Sequence, residues 1–285
     1  MKPAPWPAPA KLNLMLHITG RRADGYHLLQ TVFQFLDFGD RLTFETTGDG
    51  SIVLQNPIEG VPNPQNLLYR AAVLLRERTG TPLGARITID KRLPMGGGLG
   101  GGSSDAATVL VALNHLWRTG VDEEQLAAMG LELGADVPLF VRGKACFAEG
   151  VGEVITPVAL PEPCYLVVVP PVHISTPELF SDDDLTRDCP PNKIAAFVAG
   201  GGEHVFVPVV RKRYPRVAEM MDFLSVFGDV KLTGTGACLF LAFDDCHQAL
   251  AVQKQLPEGW HSFAAQGINE SPLRKRLAEA VSDAG

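Results

Sequence analysis

No apolar run in these 285 residues reaches the roughly eighteen that a membrane-spanning helix requires, so no span is expected. Positive charge is scarce and scattered: 25 Lys and Arg stand against 32 Asp and Glu, for a net charge of −7. Nucleic-acid binding calls for clustered basic residues, and that class is set aside. Cysteine is sparse. Cys146, Cys164, Cys189, Cys238 and Cys246 lie far apart and form no metal-ligand spacing. Free, buried thiols in a reducing cytoplasm are expected, and with them a cytoplasmic location. The Pro-rich start (Pro3, Pro5, Pro7, Pro9) lacks an uninterrupted apolar segment, so no signal peptide is expected. What is plentiful is apolar material, 46% of the chain, enough for two modest cores or one large one.

The most informative stretch is Pro94-Met95-Gly96-Gly97-Gly98-Leu99-Gly100-Gly101-Gly102-Ser103-Ser104-Asp105, with six glycines in seven positions. It follows an alternating segment, Ala85 to Lys91, and precedes an apolar helical pattern that runs to about Trp117. So much glycine costs conformational entropy and offers no side chains for packing, which makes sense where backbone must approach a guest closely. Successive N–H groups can converge on one point, and a helix N-terminus behind them favours an anion. A polyphosphate is the expected guest; a mobile linker or a tight turn is the alternative. Ser103, Ser104 and Asp105 are expected as N-cap and first-turn residues. The loop lacks the lysine of the usual P-loop, and no acidic residue closes a following strand as a dinucleotide site would require.

Alternation from Lys11 to Ile18 predicts a half-buried strand with Lys11 and Asn13 on one face, followed by a turn at Gly20–Gly25. Further strands are expected at Val32–Leu36, Arg41–Glu45 and Ser51–Gln55. Helices are expected at Asn66–Arg78, ended by Gly80, and at Asp122–Leu133, with Asp122 as N-cap. Glu149-Gly150-Val151-Gly152 centres a hairpin. Prolines cluster between Pro157 and Pro163, which suggests a division into residues 1–158 and 159–285. The second part reads as strand (Tyr165–Val169), a long helical stretch (Asn192–Phe227), two strands about Thr233-Gly234-Thr235-Gly236, a helix (Cys246–Gln255) and a strand (Trp260–Gln266). That is the ferredoxin-like order.

Phosphoryl transfer needs a phosphate cradle, a metal ion, an oriented hydroxyl and a group to take its proton. Asp136, in Gly134-Ala135-Asp136-Val137-Pro138, is a carboxylate amid apolar neighbours and reads either as a helix cap or as a site. Lys11 reads locally as a solvated strand edge. Thr233-Gly234-Thr235-Gly236-Ala237-Cys238 is either a hairpin connection or a loop that closes over a transferred group. Asp182-Asp183-Asp184 reads as a solvated acidic loop.

Three ordered segments resemble the motifs of the GHMP kinases: Pro9-Ala10-Lys11-Leu12-Asn13-Leu14, the glycine stretch Pro94–Ser104, and Leu232–Cys238. Arg22–His27, Leu133–Pro138, Phe147–Glu153 and Gln266–Asn269 narrow the resemblance to the branch acting on a cytidine diphosphate-linked methylerythritol. The likeness covers nearly the whole chain and is weakest between about Asp182 and Arg211. It implies an α/β (α+β) enzyme of two domains, an N-terminal ATP-binding domain and a C-terminal ferredoxin-like domain, with the active site between them. It implies phosphorylation of the substrate's 2-hydroxyl with ATP and Mg2+; another sugar or alcohol kinase of the family is the alternative. Carried over by position, Asp136 is the catalytic base and Lys11 its charged partner, while Asn13 orients the substrate. Gly96 to Ser104 hold the ATP phosphates; Asn66, Lys91 and Met95 lie around the nucleotide. Tyr26, His27, Thr176 and Phe180 hold the cytidylyl part, and Gly234, Thr235 and Gly236 close over the substrate. Ser104 is the candidate metal ligand. In the cytidylyl pocket, Tyr26 and Phe180 would supply stacking faces and His27, by ring or backbone, would read the base edge; ordinary turn and helix aromatics are the alternative.

Overall fold

A computed structural model of the chain describes residues 4–56, 58, 60–194, 197 and 202–283. Its frame is a pair of long antiparallel strands, β1 (Trp6–Arg21) and β2 (His27–Thr47), paired from Trp6↔Leu42 to Arg21↔His27 with register shifts between Pro9 and Lys11, Asn13 and Met15, and Ile18 and Gly20. The two short strands expected at Val32–Leu36 and Arg41–Glu45 are parts of one. Gly39 pairs with Pro9, and a Cβ there would lie 2.1 Å from the Ala8 carbonyl oxygen, so it marks a close approach of the two strands. Nor is β1 half-buried: Lys11, Leu12 and Asn13 are all buried, on both faces. Pro7 and Pro9 are tolerated because β2 is the one strand that pairs with β1 among the described residues.

Strand β3 (Ile52–Leu54) leads to helix α1 (Leu67–Thr79), whose first turn is capped by Asn66 Oδ1 accepting the Leu68 N–H and whose end is set by left-handed Gly80. Strand β4 (Gly84–Asp90) pairs with β2 and β3 and delivers the chain to the glycine loop. Helix α2 (Gly101–Trp117) runs through the first core. Helix α3 (Glu123–Leu133) starts at the expected Asp122, in a capping box with Gln125. Helix α4 (Val137–Arg142) and the hairpin β5 (Cys146–Gly150)–β6 (Val154–Pro157) complete the first half.

The second half contains β7 (Cys164–Val169), α5 (Thr176–Phe180), α6 (Val207–Arg213), α7 (Pro215–Leu224), β8 (Lys231–Leu232), β9 (Leu239–Phe243), α8 (Cys246–Gln253), β10 (His261–Ile268) and α9 (Pro272–Asp283). Its strands lie in the order β10-β7-β9-β8, all antiparallel, as the ferredoxin-like pattern requires. The long helix expected over Asn192–Phe227 is broken. Pro215 has no N–H to continue α6, and Tyr214 leaves the helical region (φ −122, ψ 79). Residues 195, 196 and 198–201 of that stretch lie outside the described residues.

The halves are joined by strand pairing and by the C-terminal helix. Gly267 and Ile268 of β10 pair with Leu36 and Phe35 of β2, and α9 returns to bury Leu273 and Ala280 in the first core. A third cluster spans both halves: Leu12, Leu36, Leu93 and Leu99 pack with Tyr165, Val167, Cys238 and Phe240. Two expectations fail on tertiary grounds. Cys164 and Cys246 are not free thiols but a disulfide across 82 residues, because β7 and α8 bring their Cα atoms to 5.1 Å. Cys146, Cys189 and Cys238 are free, and the reduced-thiol argument for the cytoplasm loses its support. Asp182 is not solvated either; it is buried against Arg213, and the Asp184 N–H leads in drawing its carboxyl below the usual range. No helix among the described residues is long and apolar enough to cross a membrane.

Candidate active site

A cleft of about 1570 Å³ opens above the shared cluster, lined from both halves. The glycine loop forms its floor. Helix α2 begins at Gly101 with left-handed Gly100 (φ 74, ψ 16) at the N-cap and no side-chain cap, so Ser103, Ser104 and Asp105 are not caps. Gly101, Gly102 and Ser103 occupy the first turn, where N–H groups have no intrahelical acceptor, and all three line the cleft.

Three of the loop's six glycines serve packing as well, contrary to the expectation that such a loop packs little. A Cβ at Gly97 would lie 2.5 Å from Cys238 Sγ, at Gly98 2.1 Å from the Thr233 carbonyl oxygen, and at Gly100 2.7 Å from the Phe140 ring. The loop is pressed against Thr233–Cys238, which is at once the connection between β8 and β9 and a wall of the cleft. Asn13 N–H donates to Thr233 Oγ1 (3.0 Å), Gly234 N–H to Asn13 Oδ1 (3.0 Å), Thr233 Oγ1 to Gly98 O (3.2 Å) and Cys238 N–H to Gly97 O (3.2 Å). All three motifs therefore meet in one joint. Asn13, expected to orient substrate, also gives an amide hydrogen to Thr31 Oγ1.

Lys11 is not a strand edge; its side chain is buried. The ammonium donates to Asn13 Oδ1 and to Gly98 O (2.9 Å), and Asp136 Oδ2 lies 3.6 Å away. Asp136 precedes α4 in the N-cap position but makes no cap hydrogen bond, which removes the cap reading. Its carboxylate is 36% exposed and lines the cleft. Burial draws the Lys11 pKa below its ordinary value, and Asp136 opposes that shift.

Beside the glycine loop, Lys91 is held by Asp40 (2.5 Å) and Asp105 (2.8 Å), two buried carboxylates. Asp40 Oδ1 also accepts the Arg92 and Leu93 N–H groups and so anchors the segment entering the loop. Burial pushes the Asp105 carboxyl up to about 7, opposed by Lys91 and reinforced by Asp40. Asn66 and Met95 line the same cleft; Asn66 Nδ2 is buried with no partner among the described residues. Leu99 reaches the cleft through its backbone segment while its side chain is buried in the shared cluster. Ser104 lies beneath the first turn, fully buried, its Oγ without a partner, and Asp105 Oδ1 is likewise unpartnered. Asp105 lines the cleft, whereas Ser104, the expected metal ligand and phosphate contact, does not, and no group of three or more His, Cys, Asp or Glu side chains that could hold a metal ion exists among the described residues.

At the opposite end, the His27 and Phe180 rings lie 5.0 Å apart and 30° from parallel, and Phe180 meets Phe206 edge-on. Tyr26 stands at the rim, 66% exposed. Thr176 and Thr235 share a 2.7 Å hydrogen bond that ties α5 to the glycine turn, while Gly236 sits behind the cleft wall against Ile174 and Leu232. Arg187 also lines this end, and its Nε–H donates to His27 Nε2. It carried no signal in the sequence: it lies in an irregular stretch with no motif around it.

A glycine-built anion cradle, a Lys–Asp pair at its head and a ferredoxin-like second half define a small-molecule kinase of the GHMP type. The profile for the GHMP kinases N terminal domain matches residues 66–144 and that for the GHMP kinases C terminal matches residues 192–262. The chain belongs to the GHMP kinase family. It stands in that family's 4-diphosphocytidyl-2-C-methyl-D-erythritol kinase branch. It is 59% identical over 271 residues to the enzyme of that name from Ectopseudomonas mendocina (strain ymp), covering 95% of this chain and 93% of that one. It is 57% identical to the one from Nitrosococcus oceani, over 94% and 96%. A crystal structure of 4-(cytidine 5'-diphospho)-2C-methyl-D-erythritol kinase superposes with a TM-score of 0.81 at 34% identity, over 93% and 99% of the two chains.

Proposed function

We propose that this kinase transfers a phosphoryl group from ATP to the 2-hydroxyl of 4-diphosphocytidyl-2-C-methyl-D-erythritol, with Asp136 as base. The observation that carries the reading is the Lys11–Asp136 pair at 3.6 Å, held at the head of the glycine loop in a cleft roomy enough for two nucleotide-sized ligands. An alcohol is a very weak acid, so Asp136 takes its proton late, as the O–P bond forms. Lys11, fixed by Asn13 and Gly98, faces the negative charge that develops there. The first-turn N–H groups of Gly101, Gly102 and Ser103 receive phosphate oxygens, and Lys91 stands beside them at the nucleotide end. Magnesium, for which the unpartnered Asp105 Oδ1 is a candidate protein oxygen at the cleft, would neutralise phosphate charge when bound. Tyr26, His27, Phe180 and Thr176 form the cytidylyl end.

Purified protein, ATP, MgCl2 and a panel of alcohols, followed by ADP release and phosphorus NMR of the product, test this. The cytidylyl substrate should be phosphorylated at its 2-hydroxyl. Preferential turnover of a free sugar or simple alcohol would instead assign the chain another chemistry within the family.

A further inference from the structure

Asn13 and Thr31 meet beside a bulge between the two long strands. From Asn13 to Met15, β1 takes two residue steps where β2 takes one, from Phe33 to Val32. Such an extra residue re-aims the side chains next to it. Thr31 sits on a strand held from both sides, paired with Leu16 of β1 and with Ala148 of β5. Its side chain is buried, and its hydroxyl donates to Met15 O (2.6 Å). A hydroxyl has one hydrogen, so towards Asn13 it can only accept. The amide atom beside it, at 2.9 Å, is therefore Nδ2, and Oδ1 points the other way. There Oδ1 accepts from Lys11 Nζ and from Gly234 N–H. All three neighbours of the amide require the same orientation.

We propose that Thr31 is a positioning residue for phosphoryl transfer: by holding the Asn13 amide through Nδ2, its hydroxyl aims Oδ1 at the Lys11 ammonium and so sets that ammonium against Asp136. Asn13 takes one ammonium hydrogen and Gly98 O another, which leaves a third for Asp136 at 3.6 Å. Phe33, two residues from Thr31 on the same face of β2, has its ring centroid 5.2 Å from Nζ. Thr31 Oγ1 is the one acceptor of Asn13 Nδ2 among the described residues. Without that oxygen a buried donor is left unpaired, which is costly. Asn13 lines the cleft, so its amide relieves the cost by turning there, and Oδ1 then leaves Lys11 and Gly234.

This role rests on Lys11 and Asp136 carrying out the transfer, and the experiment separates the two. Thr31→Val keeps the shape of the side chain and removes the hydroxyl. With both substrates saturating, kcat should fall roughly tenfold or more while KM for ATP stays nearly unchanged. Thr31→Ser keeps the hydroxyl and should hold kcat within about threefold of the parent. In a Lys11→Met background Thr31→Val should lower turnover no further, because its influence passes through that ammonium. A merely structural contribution would lower turnover in both backgrounds. If Thr31→Val fails to fold, Thr31→Ala against Thr31→Ser makes the same comparison. An undiminished kcat in folded Thr31→Val, an equal loss in Thr31→Ser, or the same proportional loss in the Lys11→Met background overturns the role of Thr31 alone. Near-normal turnover in Lys11→Met itself overturns the catalytic pair, and the positioning role with it.

Discussion

Lys11 is buried and Asp136 is not, yet their charged ends face each other at 3.6 Å across the head of the glycine loop. Two of the three ammonium hydrogens are taken by Asn13 and Gly98, which leaves one side of the ammonium towards Asp136 and the cleft. Asp136→Asn keeps the shape and removes the base. It should lower kcat by roughly two to four decades with little change in substrate KM. Lys11→Met should act similarly. Near-normal turnover in both folded variants would strip the pair of its catalytic role.

The glycines of the loop divide by what a side chain would meet. At Gly101 a Cβ would sit 3.2 Å from Lys91 Nζ and 3.4 Å from Leu93 Cβ, tight contacts with side-chain atoms but none with backbone. At Gly98 it would collide with the Thr233 carbonyl, and the residue sits at φ +80. Gly101→Val should fold and bind ATP more weakly in calorimetric titration. Gly98→Ala should lower the unfolding midpoint as well, because the joint between the halves must open. Equal thermal stability of the two variants would show that the loop does not seal that joint.

Tyr26 and Phe180 offer aromatic faces at the proposed cytidylyl end. Truncating either to Ala should raise KM for the cytidylyl substrate about tenfold, the scale of one lost stacking contact, and leave KM for ATP nearly unchanged. Steady-state kinetics with each substrate varied in turn decide it. Parallel rises in both KM values would point to a collapsed cleft instead.

His204 lies outside the mechanism and should shape acid stability. Its ring is buried beside Phe206, neither nitrogen has a partner among the described residues, and burial lowers its pKa from 6.5 to about 3. The folded-state value is depressed, so below pH 6.5 the unfolded chain binds a proton that the native chain refuses. The associated stability is complete above that pH and is lost as pH falls towards 3, at up to about 1.4 kcal/mol per pH unit. Urea unfolding of His204→Phe over that range should show a flatter acid limb. Burial lowers the His17 pKa too, so some slope should persist. Identical pH dependence in variant and parent would remove His204 as its cause.

Some features are local and were legible in the chain. The Asp122 cap, the Gly80 stop, the end of the loop's helix near Trp117 and the ferredoxin-like order all follow from periodicity and punctuation within a few residues. Glycine density by itself announced a close backbone approach. It did not say that the approach at Gly97 and Gly98 is to Cys238 and Thr233, since those contacts join segments more than a hundred residues apart. Local sequence favoured a cap for Asp136 and an edge for Lys11; burial against the other half of the chain makes them a charged pair. The Asp40–Lys91–Asp105 group, the Arg187–His27 bond and the Cys164–Cys246 disulfide had no local signature at all. Sequence alone determined most of the strands, helices and glycine turns, because those elements depend on backbone propensity and side-chain period. It did not determine where the long helix of the second half breaks or that two strands of the first half are one. Which charges meet, which thiols join and which glycines are indispensable was decided only when β1, the glycine loop and the β8–β9 turn closed on one another, since burial and distance are properties of the packed chain.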